Sequence, residues 1–379
     1  MIDKLELDYT SIHSLSELLN LLHKYKIPEN HYWLYLETYR ERKAREQGIP
    51  LYGQFELTPL CNLDCKMCYV HLNKDQLNGK DILSVEQWKK IMLQAHSLGM
   101  MNATLSGGEC LIYPGFDELY MFLQNLGIKV SVKTNGILLN KKRIAFFNLS
   151  KPRSITVSLY GSSNEAYKRV TGHAVFDIVY ENLLELKKCA FPVRIAITPS
   201  RFMYEDIKNI YRLATQLEIP CYVNLILFSP RKETGRELCD LTIKEYADIF
   251  SMIKESDTLP LPDEVDLPKF GDNSVPDIGL RCGAGRSFFT VNWHGEMSGC
   301  DNLNSLQVDT LDTPFSQAWD LINTDALTFP NPQECKNCAY GKVCPDCTAY
   351  RSLGAQKGHC NLNICNRTSF FVQKGIYSL

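Results

Sequence analysis

The sequence lacks several features that would each point to a class of protein. No apolar run in its 379 residues is long enough to cross a bilayer. The first residues do not combine a basic stretch with an apolar one, which argues against a secretory signal. The 41 Lys and Arg residues nearly balance the 43 Asp and Glu residues, so no charge excess recruits nucleic acid or an anionic membrane. We therefore expect a cytoplasmic protein that binds neither nucleic acid nor membrane.

Cysteine, in contrast, is abundant. The chain has 15 cysteines, and eight of them lie between residues 282 and 379. In a chain without a secretory signal, such a number argues for metal binding in a reducing compartment rather than for disulfides.

The sequence pattern divides the chain into four regions. Residues 1–50 have helical spacing, residues 51–235 alternate β-type runs with amphipathic helical runs, residues 236–281 form a bridging region, and residues 282–379 are rich in cysteine. The alternation predicts βα units on a parallel sheet, and six units favour a partial (β/α)6 TIM-type barrel over a closed eight-stranded one. The six predicted strands are Gly53–Thr58, Ala103–Leu105, Lys129–Lys133, Ser154–Ser158, Arg194–Thr198 and Tyr222–Leu227.

A C-x3-C-x2-C motif follows the first predicted strand. Its thiols belong to Cys61, Cys65 and Cys68, one ligand fewer than a closed zinc site or a fully ligated iron–sulfur cluster needs. Such a site leaves one iron open to a substrate or cofactor. The alternative is a zinc knuckle whose fourth ligand is nearby, with His71 as a candidate.

Polar residues follow the next predicted strands. Gly107, Gly108 and Glu109 lie at the end of the second predicted strand. Two glycines allow the backbone to approach a ligand, and a carboxylate can pair with an ammonium. Asn135 follows the third strand and Ser158 ends the fourth. Because ligands bind at the carboxyl ends of parallel strands, we expect these residues to share one rim.

The triad and the Gly-Gly-Glu element together resemble the motifs of radical S-adenosylmethionine (radical SAM) enzymes, over roughly residues 51–235. The resemblance implies a 4Fe–4S cluster on the triad whose open iron binds S-adenosylmethionine. By the same resemblance, the cofactor contacts come from Met67, Gly107, Gly108, Glu109, Asn135, Ser158 and Arg169. Met67 departs from the family, which usually has an aromatic residue there.

The C-terminal region resembles the SPASM domain that follows many radical SAM enzymes, which implies two auxiliary 4Fe–4S clusters. The resemblance implies one ligand set for an inner cluster, Cys282, Cys300 and Cys347. It implies another for an outer cluster, Cys335, Cys338, Cys344 and a late cysteine, for which the gap after Cys347 favours Cys365 over Cys360. No second cysteine follows Cys282 closely, so either Cys360 completes the inner cluster or that cluster is open to substrate. The alternative is one or two zinc ribbons, since C-x2-C pairs suit zinc equally well.

Asp301 follows Cys300 directly. In anaerobic sulfatase-maturating enzymes an aspartate in this place removes a substrate proton, so the resemblance makes Asp301 a candidate catalytic residue. The alternative is an Asx turn that begins at Asp301.

The resemblance implies an oxidoreductase that modifies a ribosomally made precursor peptide, with a thioether or other side-chain crosslink as the leading expectation. It also implies an electron donor such as flavodoxin or ferredoxin. Three alternatives stay open: a formylglycine maturase of the sulfatase type, a peptide epimerase, and a zinc-binding protein without catalysis. Residues 1–50 either contact a leader segment or cap the bottom of the barrel.

Overall fold

A computed structural model describes most of the chain. The described residues are 7, 9–224, 239–255, 278–280, 282–303, 306–335, 338–341, 343–344, 347 and 362–375. Among them, no helix is both long enough and apolar enough to cross a membrane.

The described residues form one nine-stranded sheet in the order β6-β5-β4-β3-β2-β1-β7-β8-β9. The strands are β1 (Tyr52–Glu56), β2 (Asn102–Ser106), β3 (Lys129–Thr134), β4 (Ser154–Ser158), β5 (Val193–Ile197), β6 (Cys221–Val223), β7 (Phe288–Val291), β8 (Glu296–Ser298) and β9 (Gln307–Asp309). Every neighbouring pair from β6 to β7 is parallel, and β8 and β9 are antiparallel to their neighbours.

A helix follows each of β1 to β5, as βα units require, and two helices precede β1. They are α1 (Leu15–Lys24), α2 (Tyr32–Gln47), α3 (Val85–Ser97), α4 (Phe116–Asn125), α5 (Lys141–Leu149), α6 (Asn164–Thr171), α7 (Phe176–Leu186), α8 (Ile207–Leu217), α9 (Ile243–Glu255), α10 (Phe315–Thr328) and α11 (Leu362–Gln373). Helix α3 shows why such helices form here. Ser84 caps its N-terminus in a capping box with Gln87, and the buried residues Trp88, Ile91 and Ala95 lie on one face at helical spacing.

The predicted fold class, a partial barrel, is confirmed. Five of the six predicted strands lie within two residues of β1 to β5. The sixth is shorter than predicted, because β6 ends at Val223, and residues 225–227 of the prediction lie outside the described part.

The sheet continues past the boundary predicted at residue 282. Strand β7 pairs in parallel with β1 on the side opposite β2, a strand that the sequence pattern does not predict. The ring of Phe289 lies in edge contact with Phe55, at 5.8 Å, and with Phe315 on α10, at 5.2 Å. The first strand of the cysteine-rich region therefore shares the core of the barrel.

Helix α2 lies beneath the barrel, at the amino ends of its strands. Glu37 accepts hydrogen bonds from Lys129 at 3.2 Å and from Arg153 at 3.0 Å, and both residues lie where β3 and β4 begin. Trp319 on α10 donates to the carbonyl of Gly48, just beyond the helix, at 2.6 Å. These contacts are those of a cap over the barrel bottom.

Candidate functional site

A cavity of about 240 Å³ lies inside the barrel at the carboxyl ends of the strands. All three cysteines of the C-x3-C-x2-C motif line it. Their loop is held in place because the amides of Asp64 and Lys66 donate to the carbonyls of Thr171 and Val170, at the end of α6. The structure therefore brings the triad to the rim on which the sequence predicted it.

The three sulfur atoms lie in a setting that suits iron ligation. The Sγ of Cys61 accepts the amide hydrogen of Leu63 at 3.4 Å and the side chain of Asn135 at 3.6 Å. The Sγ of Cys68 accepts the amide hydrogen of His71 at 3.2 Å. Such N–H donors stabilise sulfur that carries negative charge, as cluster ligands do.

Burial without metal disfavours the thiolate form of these cysteines. It raises the pKa of Cys61 to about 12 and moves the pKa of Cys65 well above its usual value. The negative charges of the neighbouring thiols act in the same direction. A bound metal would remove this cost, so the donor set fits a cluster better than three free thiols.

The alternative of a zinc knuckle finds less support. The imidazole of His71 faces Asp64, with Nδ1 3.6 Å from Oδ1, and only its backbone amide reaches Cys68. Within the described part of the chain, no group of three or more His, Cys, Asp or Glu side chains is arranged to hold a metal ion. A four-iron cluster spaces its cysteines more widely than a single zinc ion does, so this result weighs against zinc more than against the cluster.

Gly107 and Gly108 form a backbone cradle against the cysteine loop. A Cβ atom on Gly107, which has a φ of +140°, would lie 2.4 Å from the carbonyl oxygen of Thr58. A Cβ atom on Gly108 would lie 2.3 Å from the carbonyl oxygen of Leu60. Both glycines line the cavity, so they are required for the close approach of two loops beside the triad.

Glu109 is buried behind the rim and bonded to donors of the protein itself. Its carboxylate is 1% exposed, does not line the cavity, and accepts hydrogen bonds from Thr134 at 2.8 Å, Leu111 at 3.1 Å and Asn135 at 2.7 Å. Burial raises its pKa, while these donors act in the opposite direction. The carboxylate therefore fixes the shape of the rim through Thr134 and Asn135, and its contact with the cofactor's ammonium stays a prediction.

The remaining predicted cofactor contacts divide into two groups. Met67, Asn135 and Ser158 line the cavity. Arg169 does not, because its exposed side chain donates from Nε to the carbonyl of Phe202 at 2.9 Å. The contact of Arg169 with the cofactor stays a prediction.

Two polar residues in the barrel interior escaped the sequence reasoning. Gln54 on β1 accepts a hydrogen bond from Lys133 on β3 at 2.8 Å and donates to Asp301 at 3.2 Å. Surrounding protein lowers the pKa of Lys133, although its side chain remains accessible from the cavity. The sequence does contain a signal for them, namely polar residues at inward-facing positions of buried strands. Only the alternation of side chains along each strand could have revealed that signal.

Asp301 reaches this interior network. Besides its bond to Gln54, its negative charge is the largest cause of the raised pKa of Tyr69, a cavity residue. Asn302 lines the same cavity and donates to Asp301 at 3.2 Å. The arrangement places a carboxylate beside Cys300 and in contact with Gln54 in the barrel interior.

The candidate inner ligands come together from three distant segments. Cys300 and Cys347 pack against one small apolar cluster formed by Leu280, Ala284, Leu303, Ala326 and Phe329. Burial raises the pKa of Cys300, and the charges of Asp301, Cys347 and Cys282 add to this shift. Cys282 and Cys300 also line a second cavity beneath the barrel.

Of the candidate outer ligands, Cys344 lies beside α11 and Cys365 lies on it. The amide of Cys338 donates to the carbonyl of Cys335 at 3.3 Å. Thr368 on α11 lies 4.0 Å from the sulfur of Cys344, and Cys365 lies three residues earlier on the same helix face. Cys360 lies outside the described residues. None of the fourteen described cysteines is in a disulfide.

One stretch of the chain, which contains the barrel, matches a family model. Residues 55–230 match the family model of the Radical SAM superfamily. The chain contains a radical SAM domain. The cofactors of this family are S-adenosylmethionine and a 4Fe–4S cluster, which the cysteine triad and the glycine cradle fit by their donor atoms and shape.

Two relatives and one solved structure extend the comparison beyond the radical SAM domain. The AdoMet-dependent heme synthase of Methanosarcina barkeri is 25% identical over 320 residues, which span 78% of this chain and 90% of that protein. The PqqA peptide cyclase of Bradyrhizobium diazoefficiens is 23% identical over 325 residues, which span 80% of this chain and 83% of that protein. The crystal structure of Streptococcus suis SuiB bound to its precursor peptide SuiA shares the fold, with a TM-score of 0.62, 16% identity and coverage of 94% of this chain and 79% of that one.

Proposed function

We propose that this radical SAM protein modifies a ribosomally made precursor peptide, forming a thioether or another side-chain crosslink. The observation that carries the proposal is the cavity itself, in which the cysteine triad and the two glycines face Lys133. When bound, the cluster and S-adenosylmethionine supply a 5′-deoxyadenosyl radical that abstracts a hydrogen atom from the substrate.

The residues of the chain have distinct roles in this proposal. Cys61, Cys65 and Cys68 hold the cluster, and the cradle of Gly107 and Gly108 holds the cofactor's methionyl end. Asn135, Ser158 and the backbone at Met67 orient the nucleoside. Asp301, which accepts from Gln54 at 3.2 Å, removes a proton from the substrate.

Two auxiliary 4Fe–4S clusters complete the proposal. Cys282, Cys300 and Cys347 would hold the inner one, which would supply an electron acceptor for the substrate. The ligands of the outer one are Cys335, Cys338, Cys344 and Cys365. An electron donor such as flavodoxin or ferredoxin supplies the electron that starts each cycle.

A second candidate function follows from the M. barkeri relative, whose name is that of a heme synthase and which aligns over 78% of this chain. The substrate would then be a tetrapyrrole instead of a peptide. A formylglycine maturase and a peptide epimerase remain variants of the first candidate, since both act on a polypeptide and would use the same cavity.

One anaerobic experiment separates these candidates. The reconstituted, reduced protein is mixed with S-adenosylmethionine and, in separate arms, with short peptides encoded beside its gene and with heme precursors. We expect substrate-dependent 5′-deoxyadenosine and a mass loss of two hydrogens in a peptide arm. Solvent deuterium gain without other mass change would indicate epimerisation, and turnover only with a porphyrin would overturn the peptide proposal.

A further inference from the structure

Asn135 joins the turn after β3 to the loop of the first cysteine triad. Its side-chain nitrogen, Nδ2, lies 3.6 Å from the Sγ of Cys61 and 2.6 Å from the Oδ1 of Asn62, and it donates to both atoms. An amide NH2 group has two hydrogens, so these contacts use both of them. Asn135 therefore directs one N–H bond at a predicted ligand of the first cluster.

The turn that carries Asn135 is held from three sides. The backbone amide of Asn135 donates to the carboxylate of Glu109 at 2.7 Å, and its Oδ1 accepts the amide hydrogen of Ile137 at 3.1 Å. From α7, Asn182 donates to the carbonyls of Gly136 and Ile137, at 2.9 Å and 3.2 Å. The direction of the side-chain amide toward the triad is therefore fixed by the protein itself.

The surroundings of this hydrogen bond strengthen it. Asn135 is buried, with 5% of its surface exposed, and a hydrogen bond gains strength where water is largely excluded. A second donor, the backbone amide of Leu63, lies 3.4 Å from the same sulfur atom. Two N–H groups thus converge on Cys61, one from its own loop and one from the turn after β3.

Two interpretations account for the contact between Asn135 and Cys61. In the first, the side chain only ties the turn to the cysteine loop, for which its bond to Asn62 is sufficient. In the second, the bond acts on the cluster that the triad would hold. Reduction adds one negative charge to a cluster, so a donor aimed at a ligand sulfur stabilises the reduced form.

We propose that Asn135 raises the reduction potential of the first cluster through its hydrogen bond to Cys61. The inference rests on the part of the proposed function that places this cluster on Cys61, Cys65 and Cys68, and it does not depend on the substrate. Hydrogen bonds to the sulfurs are among the factors that set cluster potentials. A higher potential would allow a weaker reductant to start each cycle. The second lone pair of the Asn135 Oδ1 is left for the proposed contact with the cofactor.

The test is a redox titration of the first cluster, followed by electron paramagnetic resonance, without cofactor or substrate. The background is the reconstituted full chain with Ala at Cys282, Cys300, Cys335 and Cys338. In Asn135→Ala the donor is lost, so we expect a more negative midpoint. We expect a change of about tenfold in the reduction equilibrium, which is about 59 mV for one electron.

The same titration is possible in the wild-type background. There the first cluster is the signal that is missing when Cys61, Cys65 and Cys68 are changed to Ala. Iron content and thermal melting identify any variant that fails to fold or to load its cluster.

Asn140 provides a matched control five residues later in the same connection. It caps α5, where its Oδ1 accepts the amide hydrogen of Arg143 at 3.1 Å, and it is exposed and does not line the cavity. Asn140→Ala removes an acceptor of a backbone amide, as Asn135→Ala does at Ile137. It should lower the melting temperature but leave the midpoint unchanged.

A second variant at Asn135 separates the lost donor from the lost turn contact. Asn135→Ser keeps an oxygen that can accept from Ile137, because serine forms the same kind of turn more weakly. Its side chain has no NH2 group and is one atom shorter. It should therefore move the midpoint as far as Asn135→Ala does, with a smaller loss in melting temperature.

The outcomes separate failure of the inference from failure of the proposed function. An unchanged midpoint in both Asn135 variants would overturn the inference and leave Asn135 as a structural tie. An equal shift in Asn140→Ala would also overturn it, because the shift would then follow from a weakened loop. A folded background protein without any 4Fe–4S signal would instead contradict the placement of the cluster on the triad.

Discussion

The two cysteine-rich regions of the molecule gather their thiols in different ways. The first triad lies within eight residues of chain, on one loop between β1 and α3. The candidate inner set joins Cys282, Cys300 and Cys347, which are separated by up to 65 residues and meet only because β7 and β8 fold back on the sheet. One site is determined by local chain geometry and the other by tertiary packing.

This difference shows what each site depends on. The loop of the first triad is held by bonds to α6 and by the cradle of Gly107 and Gly108, all within the barrel. The inner set depends on the docking of Phe289 and Phe315 against the barrel core, and on a small apolar cluster. Changes in the first region should therefore abolish cleavage of S-adenosylmethionine. Changes in the second should leave that cleavage in place but stop product formation.

The largest expected effect is the loss of the first triad. With Cys61, Cys65 and Cys68 changed to Ala, we expect no 5′-deoxyadenosine, because no open iron remains for the cofactor. Iron should fall by roughly one cluster's share, leaving the auxiliary clusters in place. Chromatography and iron analysis measure both quantities, and nucleoside formation at the wild-type rate would contradict the assignment of the triad.

Changing Cys335 to Ala sharpens the contrast between the regions. We expect cleavage of S-adenosylmethionine to continue without substrate, while product formation is lost, because the first site remains whole. The measurement is the ratio of product to 5′-deoxyadenosine. If product forms normally in this variant, an essential outer cluster is excluded.

The cradle can be tested with a matched pair of glycine substitutions. Gly107→Ala places a Cβ 2.4 Å from the carbonyl of Thr58, whereas Gly127→Ala, also at positive φ, meets no atom within 4 Å. Both changes should carry a backbone cost of about 1–2 kcal/mol for a side chain at positive φ, and Gly107→Ala should lose further stability through its contact with Thr58. Only Gly107→Ala should also weaken cofactor binding by tenfold or more (about 1.4 kcal/mol). Melting curves measure the loss of stability in each variant, and equilibrium binding measures its affinity for S-adenosylmethionine. Equal affinity in the Gly107→Ala and Gly127→Ala variants would argue against the cradle.

A substitution at Glu109 tests whether this residue acts by holding the rim in its folded conformation. In Glu109→Gln, the side-chain NH2 group would face one of the donors that now bond to the carboxylate, so that hydrogen bond would be lost. We therefore expect a loss of about 1–3 kcal/mol in unfolding free energy. Glu118→Gln is the control, since Glu118 is exposed and bonds only to Lys89 among the contacts seen, and it should change stability by no more than about 0.5 kcal/mol. Unchanged stability with lost cofactor binding would restore a direct role for Glu109.

The smallest expected effect is that of Arg169→Ala. Because its side chain is exposed and turned to the carbonyl of Phe202, affinity for S-adenosylmethionine should change less than about twofold. Titration of the cofactor into wild type and variant gives the comparison. A tenfold loss would show that Arg169 swings into the cavity when the cofactor binds.

The sequence predicted what depends on short stretches of chain. Strands β1 to β5 and the rim residues Asn135 and Ser158 follow from local periodicity and from the rule that parallel strands end on one edge. Strand β7 was missed because it pairs with β1 across more than 200 residues, and no local pattern encodes such a partner.

The interior network was missed for a related reason. Gln54, Lys133 and Asp301 lie on two strands and a turn that are far apart in sequence, and their contacts arise from the closing of the sheet. The partners of Glu109 were not predicted either, because Thr134 at the end of β3 and Asn135 just after it lie outside the motif. Side-chain direction within a rim depends on neighbours that a single motif cannot supply.

The most direct test of the central claim uses the variant that keeps Cys61, Cys65 and Cys68 but has Ala at Cys282, Cys300, Cys335 and Cys338. Its reduced cluster is recorded by electron paramagnetic resonance before and after S-adenosylmethionine is added. The account predicts a 4Fe–4S signal that changes on addition, because the cofactor binds the iron that has no cysteine ligand. A signal that stays the same, or a protein that carries zinc in place of iron, would contradict it.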